Sequence, residues 1–204
     1  MDLYWKLVKG RERKLMKAAF IVFDGMTALD FIGFYDPITR LKSMKIIEDF
    51  AWNVCAQSAE VTDDRGLKFK ADTVGGTLEG YDLIVVPGGF GTRKLQHDDT
   101  FMDWIKTAAN VPLKISVCTG ALILGAAGFL KGRRATTHPS AYQELEPYCA
   151  TVVKDRVVDE NCVITARGVS SALDMGLHVV ERLAGADARA RVAAQMDYPY
   201  RWNV

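Results

Sequence analysis

A cysteine at the junction of a short apolar strand and a helix is the most reactive group that the sequence offers. Residues 114–117 predict the end of a buried strand, and residues 121–129 predict a helix rich in Ala and Leu. Between them lie Cys118, Thr119 and Gly120. A strand that turns directly into a helix projects its turn residue at the helix N-terminus, as in a nucleophile elbow. The helix dipole and the free N–H groups there favour a thiolate, so we expect a nucleophilic Cys118 with a pKa lowered from about 8.5 to roughly 3.5–7.5.

Two further groups with chemical potential follow other apolar strands. Asp30 comes shortly after the apolar run 18–23, and Gly88 and Gly89 directly follow another such strand. The carboxyl ends of parallel strands share one edge of a sheet, where ligands bind. The three strand ends together would supply a nucleophile, an acid and oxyanion donors, for which we expect the backbone N–H groups of Gly89 and Thr119. Both residues also have a purely structural interpretation: Cys118 as a free cysteine packed in the core, and Asp30 as an acid that only complements a helix dipole.

The elements that must position these groups alternate between strand and helix. The runs 18–23 and 81–86 are continuously apolar, which is typical of strands buried on both faces. Amphipathic patterns over 98–110 and 170–185 predict helices. This order predicts an α/β sandwich with a mostly parallel sheet, and Pro37 predicts a bend or break inside the first helix.

Composition limits the classes of protein to which the chain could belong. Its 204 residues carry 26 basic and 25 acidic side chains, so the net charge of +1 gives no reason to expect nucleic acid as a partner. The cysteines are widely spaced, without a metal-binding pattern (Cys55, Cys118, Cys149 and Cys162). No apolar run is long enough to span a bilayer. We therefore expect a cytoplasmic protein with free thiols that binds no metal, no cofactor and no membrane.

The beginning of the chain differs from the remainder. Residues 1–16 are basic and precede the first clear strand, so we interpret them as a non-catalytic N-terminal extension. The predicted domain then covers 17–204.

Four motifs in order carry a resemblance to the ThiJ/PfpI superfamily. They read VPGGFG, SVCTGALILGAAGFL, RRATTHP and TARGVSSALDMGL, and the resemblance covers about residues 17–196. It implies a flavodoxin-like (class I glutamine amidotransferase-like) sandwich, Cys118 as the reactive residue, and a homodimer. It also implies a histidine near the cysteine, at His138, although this residue alone would be interpreted as a turn histidine before Pro139.

Within the superfamily, the residues around the site look most like the isocyanide hydratase branch. Protease-like members have His at the position of Thr119, and glyoxalase- and deglycase-like members have Glu where Asp30 stands. The sequence LDFIG, which includes Asp30, together with Cys118 and Thr119 resembles isocyanide hydratases, whereas the stretch 33–37 departs from the family pattern. The resemblance implies that a small isocyanide is hydrated to an N-substituted formamide.

In the reaction that this resemblance implies, the Cys118 thiolate attacks the terminal carbon of the isocyanide. A protonated Asp30, with its pKa raised by apolar neighbours and titrating together with the thiol, would donate a proton to that carbon. Thr119 would bind the intermediate or a water molecule. Two alternatives remain open: a glyoxalase- or deglycase-like enzyme acting on α-oxoaldehydes, and a cysteine-based redox or stress-response protein.

Overall fold

In the computed structural model of the chain, residues 15–199 are described. Residues 1–14 of the predicted N-terminal extension lie outside this range, and Met16 is already the first residue of a strand. The strands are β1 (Met16–Ile21), β2 (Phe50–Ala56), β3 (Glu60–Thr62), β4 (Lys68–Lys70), β5 (Thr73–Val74), β6 (Leu83–Val86), β7 (Leu113–Val117), β8 (Arg134–Ala135), β9 (Thr151–Val152), β10 (Val157–Asp159) and β11 (Val163–Ala166).

The helices of this part of the chain follow the predicted alternation. They are α1 (Ala28–Ser43), α2 (Thr92–Leu95), α3 (Asp99–Lys106), α4 (Gly120–Ala126), α5 (Tyr142–Leu145), α6 (Ser171–Ala184) and α7 (Ala186–Gln195). Two short 3₁₀ segments, Pro139–Ala141 and Glu146–Tyr148, flank α5. Each helix between residues 15 and 199 is too short or too polar to cross a membrane.

A seven-stranded sheet forms the centre of the molecule, in the order β10-β11-β7-β6-β1-β2-β5. Only the edge pair β10–β11 is antiparallel among the neighbouring strands of this sheet, and the other pairs are parallel. Strands β1, β6 and β7 therefore end at the same edge, and the loops that follow them lie side by side. The predicted mostly parallel α/β sandwich is confirmed.

The sheet is buried because helices cover it. Helices α1, α6 and α7 pack together in one group, while α4 packs against α2, α5, β6 and β7 in another. Under α1, the rings of Phe20 and Phe31 meet edge to face at 5.8 Å, and Phe34 lies 6.1 Å from Phe20. Phe20 and Phe34 are fully buried, which contributes about 1.5–3 kcal/mol for each side chain.

Helix α1 continues through Pro37, so the predicted break is wrong. The reason is the fit of α1 against α6, where the Pro37 ring occupies the space that a side chain at Gly176 would fill. One turn earlier, a Cβ added at Gly33 would lie 2.8 Å from the Cβ of Ala172. The departing stretch 33–37 thus serves the close packing of two helices.

Candidate active site

Cys118 occupies a sharp turn between β7 and α4, as the elbow pattern predicts. Its φ of 56° is in the left-handed region, which is uncommon for a residue with a side chain. The surrounding structure holds this conformation through two hydrogen bonds: the Cys118 N–H donates to the Ala166 carbonyl at 2.9 Å, and the Thr137 hydroxyl donates to the Cys118 carbonyl at 2.9 Å. Backbone strain of this kind concentrates at functional sites.

Asp30 lies in the first turn of α1 and is fully buried. Its Oδ2 accepts the Gly88 N–H at 2.9 Å, whereas its Oδ1 is buried and has no hydrogen-bond partner among the described residues. A carboxyl group that only complemented a helix dipole would remain in solvent. Burial with one unpartnered oxygen instead makes Asp30 a candidate for a functional group.

Gly88 brings the acid and the cysteine together. A Cβ added at this glycine would lie 2.7 Å from Asp30 Oδ2 and 2.7 Å from the Cβ of Cys118. The two residues therefore flank the same backbone atom, and only glycine fits between them. The structure thus brings together the three strand ends that the sequence pointed to.

The titration of the pair differs from the sequence-based expectation for the thiol. Burial, and then repulsion from Asp30, raise the pKa of Cys118 to about 12, although the Thr119 N–H lowers it. The predicted low pKa is therefore wrong: with the side chain only 5% exposed, desolvation outweighs the helix end. The raised pKa of Asp30 is confirmed, at about 7, with burial as the main cause and the Gly88 N–H and the Cys118 thiol opposing it.

These two pKa values define the protonation of the site. Burial raises the pKa of both groups, and because the two are coupled, the pair as a whole holds one proton above about pH 7. A carboxylate with a pKa near 7 is well matched to take a proton and give it back at neutral pH. Asp30 can therefore activate the thiol at the moment of attack, which makes a permanently ionised Cys118 unnecessary.

The predicted oxyanion donors have other partners in the structure. The Gly89 N–H donates to the Thr119 hydroxyl oxygen at 2.9 Å, and this hydroxyl donates to the Gly89 carbonyl at 3.1 Å. The Gly88 N–H is bound to Asp30. In this structure the Gly88 and Gly89 N–H groups therefore bind the side chains of Asp30 and Thr119, and their assignment to the substrate stays a prediction. The Thr119 N–H acts on the Cys118 sulfur, whose pKa it lowers.

His138 takes part in a turn. Its Nδ1 lies 2.8 Å from the Ser140 hydroxyl and accepts the Ser140 N–H at 3.3 Å, which caps the first 3₁₀ segment. None of its hydrogen bonds within the described residues reaches Cys118, in agreement with its interpretation as a turn histidine before Pro139. The neighbouring Thr137 instead makes the contact to the cysteine.

The alternating residues 67–71 predict an edge strand or hairpin arm, and they contain β4, but the sequence did not connect the hairpin of β3 and β4 with the site. The turn residue Asp64 of this hairpin accepts the Thr27 hydroxyl at 3.1 Å, and the Thr27 N–H donates to the Gly88 carbonyl at 2.8 Å. The charge of Asp64 contributes to the raised pKa of Asp30. An acidic turn of the type DDRG carries no sequence signal that would link it to a site 34 residues upstream of it. No group of three metal-binding side chains is present among residues 15–199.

The fold and this site define a class of protein: α/β sandwiches with a buried cysteine at a nucleophile elbow. Residues 16–182 match the model of the DJ-1/PfpI family, and the chain belongs to this family. The family includes the ThiJ proteins, so the resemblance noted from the motifs is confirmed.

Individual relatives agree with this placement. The chain is 36% identical to isonitrile hydratase of Pseudomonas putida over 90% of its length and 78% of that protein. It is 31% identical to DJ-1 homolog A of Arabidopsis thaliana over 78% of the chain, but it spans only 43% of that protein. Among solved structures, a ThiJ/PfpI family protein from Pseudomonas syringae superposes with a TM-score of 0.83 at 29% identity, covering 94% of this chain and 78% of the other.

Proposed function

We propose that the protein is a cysteine-dependent isocyanide hydratase, which adds water to a small isocyanide R–N≡C and releases the formamide R–NH–CHO. The observation that carries the proposal is the buried pair of Asp30 and Cys118 on either side of Gly88. The similarity to isonitrile hydratase supports it, since isonitrile is another name for isocyanide. No cofactor is needed, because the reaction is a net addition of water.

In the first half of the proposed reaction, the Cys118 sulfur bonds to the terminal carbon of the isocyanide. The thiol proton passes to the Asp30 carboxylate as the C–S bond forms, so no free thiolate has to exist in the resting site. Asp30, now neutral, gives the proton to the carbon. The product of these steps is a thioimidate, R–N=CH–S, attached to Cys118.

In the second half, water adds to the same carbon. Asp30 accepts a proton from the water as its oxygen bonds to the carbon, and passes this proton to the imine nitrogen, which yields R–NH–CH(OH)–S. The C–S bond then breaks, the hydroxyl proton returns to sulfur, and the formamide leaves. Asp30 ends as the carboxylate with which it began, so protons and electrons balance over the cycle.

Thr119 and Asp64 have supporting parts in this proposal. The Thr119 hydroxyl fixes Gly89, and with it the loop that carries the Gly88 N–H to Asp30. Asp64 adds a negative charge that helps to keep the pKa of Asp30 high. His138 has no part in the reaction.

The experiment that tests the reaction class offers the purified protein an aryl isocyanide and methylglyoxal in parallel. Formamide from the isocyanide, at a rate that saturates with substrate, supports the proposal. Lactate from methylglyoxal without formamide would favour the glyoxalase alternative. Neither product, together with a rapid gain of two oxygen atoms on Cys118 by mass spectrometry, would favour the redox alternative. Low exposure and a raised pKa oppose such oxidation.

We further infer that the protein is a homodimer. Leu29 and Ile32 are large apolar side chains three residues apart on α1, and they are 48% and 43% exposed. Apolar side chains clustered on one helix face are typical of protein–protein contacts. Light scattering coupled to size-exclusion chromatography should give twice the chain mass, and substitution of both residues by Asp should give the monomer.

A further inference from the structure

Two hydroxyl groups near the elbow are buried without a partner. Ser116 and Thr136 are both fully buried, and neither Ser116 Oγ nor Thr136 Oγ1 has a hydrogen bond among the described residues. Buried polar groups are almost always satisfied by protein or by ordered water, and an unsatisfied one costs stability. Each such group therefore requires an explanation.

Thr165 connects the two hydroxyls in space. It is the register partner of Ser116 in the parallel pair of β7 and β11, so both side chains project from the same face of the sheet. Its Oγ1 also accepts the Thr136 N–H at 2.9 Å. Thr165 is buried as well, with 1% exposure. Three hydroxyl groups thus converge on one buried region.

The bond that is missing between these hydroxyls determines what can join them. Ser and Thr side chains on neighbouring strands can hydrogen-bond directly, but Ser116 Oγ makes no such bond to Thr165. One water molecule between two hydroxyls on adjacent strands joins them without a direct bond. Buried waters typically have about 2–4 polar partners, a number that three converging hydroxyls provide.

We propose that Ser116, Thr136 and Thr165 form a binding site for one buried water molecule beneath the cysteine elbow. The site joins three segments that support Cys118. Ser116 is two residues before the cysteine on β7, Thr165 is on β11, and Thr136 precedes Thr137, whose hydroxyl holds the Cys118 carbonyl. The bound water therefore links the strands and the loop that hold the cysteine in its left-handed conformation.

The substitution Thr136→Val tests the site, because valine has the shape of threonine without its hydroxyl. If the hydroxyl binds water, the variant loses a hydrogen bond and its urea midpoint falls. Thr92→Val is the matched control, since Thr92 is equally buried and its hydroxyl donates to the Gly89 carbonyl at 2.8 Å. We expect the two variants to lose stability to a similar extent. A Thr136→Val variant as stable as the wild type, or more stable, would overturn the proposal.

A crystal structure of the full chain at high resolution provides an independent reading. The proposal predicts a density peak within about 2.7–3.2 Å of all three hydroxyl oxygens, and its loss or weakening in Ser116→Ala. A direct bond between two of the hydroxyls, or the absence of a peak, contradicts the proposed water site. This test uses the wild-type crystal, so it holds even if Thr136→Val does not fold. The two experiments measure stability and electron density, so their results do not depend on whether the protein hydrates isocyanides.

Discussion

At the scale of single residues, the chemistry depends on where one proton resides. Asp30 is a carboxyl group whose environment raises its pKa to about 7, and Cys118 is a thiol whose pKa is raised to about 12. An isolated cysteine in this site would be unreactive at neutral pH. In the proposed reaction, the neighbouring carboxylate removes this obstacle because it receives the proton only when the sulfur attacks.

Asp30→Asn tests this role. We expect formamide formation to fall by about 10²- to 10⁴-fold, the usual contribution of an acid–base group, because Asn cannot accept the thiol proton. In the wild type, kcat/KM should rise with pH through about 7, as Asp30 loses its proton, and this limb should vanish in the variant. Asp64→Asn is the control: it should keep the limb and move it to lower pH, since the Asp64 charge raises the pKa of Asp30. An unchanged pH profile in Asp30→Asn would contradict the assignment.

Thr119 offers a test of the loop that holds the acid. Thr119→Val leaves the buried Gly89 N–H without its acceptor, which should cost about 1–3 kcal/mol in the free energy of unfolding. Thr119→Ser keeps the hydroxyl and should cost clearly less. Urea denaturation of both variants measures the difference, and a loss in Thr119→Val no larger than that in Thr119→Ser would contradict the importance of this hydrogen bond.

At the scale of elements, two helices meet at small residues so that the site can form. Helix α1 carries Asp30 and approaches α6 closely through Gly33 and Gly176, with the Pro37 ring packed against Gly176. The position of α1 along the sheet edge, and therefore of Asp30, depends on this contact. A shift of α1 would withdraw the acid from Gly88.

Gly176→Ala tests the contact between these helices. The added methyl overlaps the Pro37 ring, and overpacking of this kind typically costs about 1–3 kcal/mol. This loss exceeds the roughly 1 kcal/mol that Ala gains over Gly in a helix interior. The expected result is a lower urea midpoint, which Pro37→Ala in the same chain should partly restore. Gly176→Ala at wild-type stability would show that α1 and α6 are not in tight contact.

The sequence predicted those elements and positions that depend on neighbouring residues along the chain, and it predicted less well what depends on contacts between distant segments. The apolar runs, the glycines after β6 and the strand–helix junction at Cys118 are local signals, and they predicted the sheet, the elbow and the position of Asp30. The helix expected over 98–110 is α3, which ends at Lys106, since boundaries depend on tertiary contacts.

The predictions that failed concern interactions between distant segments. The partners of the Gly89 N–H and of the Cys118 carbonyl are Thr119 and Thr137, and no local pattern indicates either pairing. The low pKa expected for the thiol followed from the helix end alone, whereas the degree of burial is a property of the whole fold. The break expected at Pro37 failed for the same reason, because α6 provides a matching glycine.

At the scale of the whole molecule, the site makes the fold less stable at neutral pH. Asp30 has a pKa of about 7 when folded and 3.8 in the reference state, so the folded protein retains a proton that the unfolded chain has released. The free energy of unfolding therefore decreases as pH rises between these two values. A shift of this size corresponds to about 4 kcal/mol.

Asp30→Asn should remove this pH dependence. The difference in the free energy of unfolding between the variant and the wild type should grow in favour of the variant by up to about 4 kcal/mol from roughly pH 4 to pH 8. Other titrating groups, such as Asp159 with its pKa lowered to about 2 in contact with His178 and Arg182, contribute equally to both proteins. Urea titrations across this range measure the difference, and parallel curves would mean that the pKa of Asp30 is not raised in the folded protein.

The most direct measurement is the rate of formamide formation from an aryl isocyanide by the wild type, Cys118→Ser and Cys149→Ser. Cys149 is a partly exposed thiol whose sulfur contacts the Leu145 carbonyl, so it serves as the control for loss of a cysteine elsewhere. If Cys118 is the nucleophile, the wild type and Cys149→Ser form formamide at similar rates, and Cys118→Ser, folded as judged by its urea transition, forms none above background. Formamide formation by Cys118→Ser at the wild-type rate would contradict the proposed function.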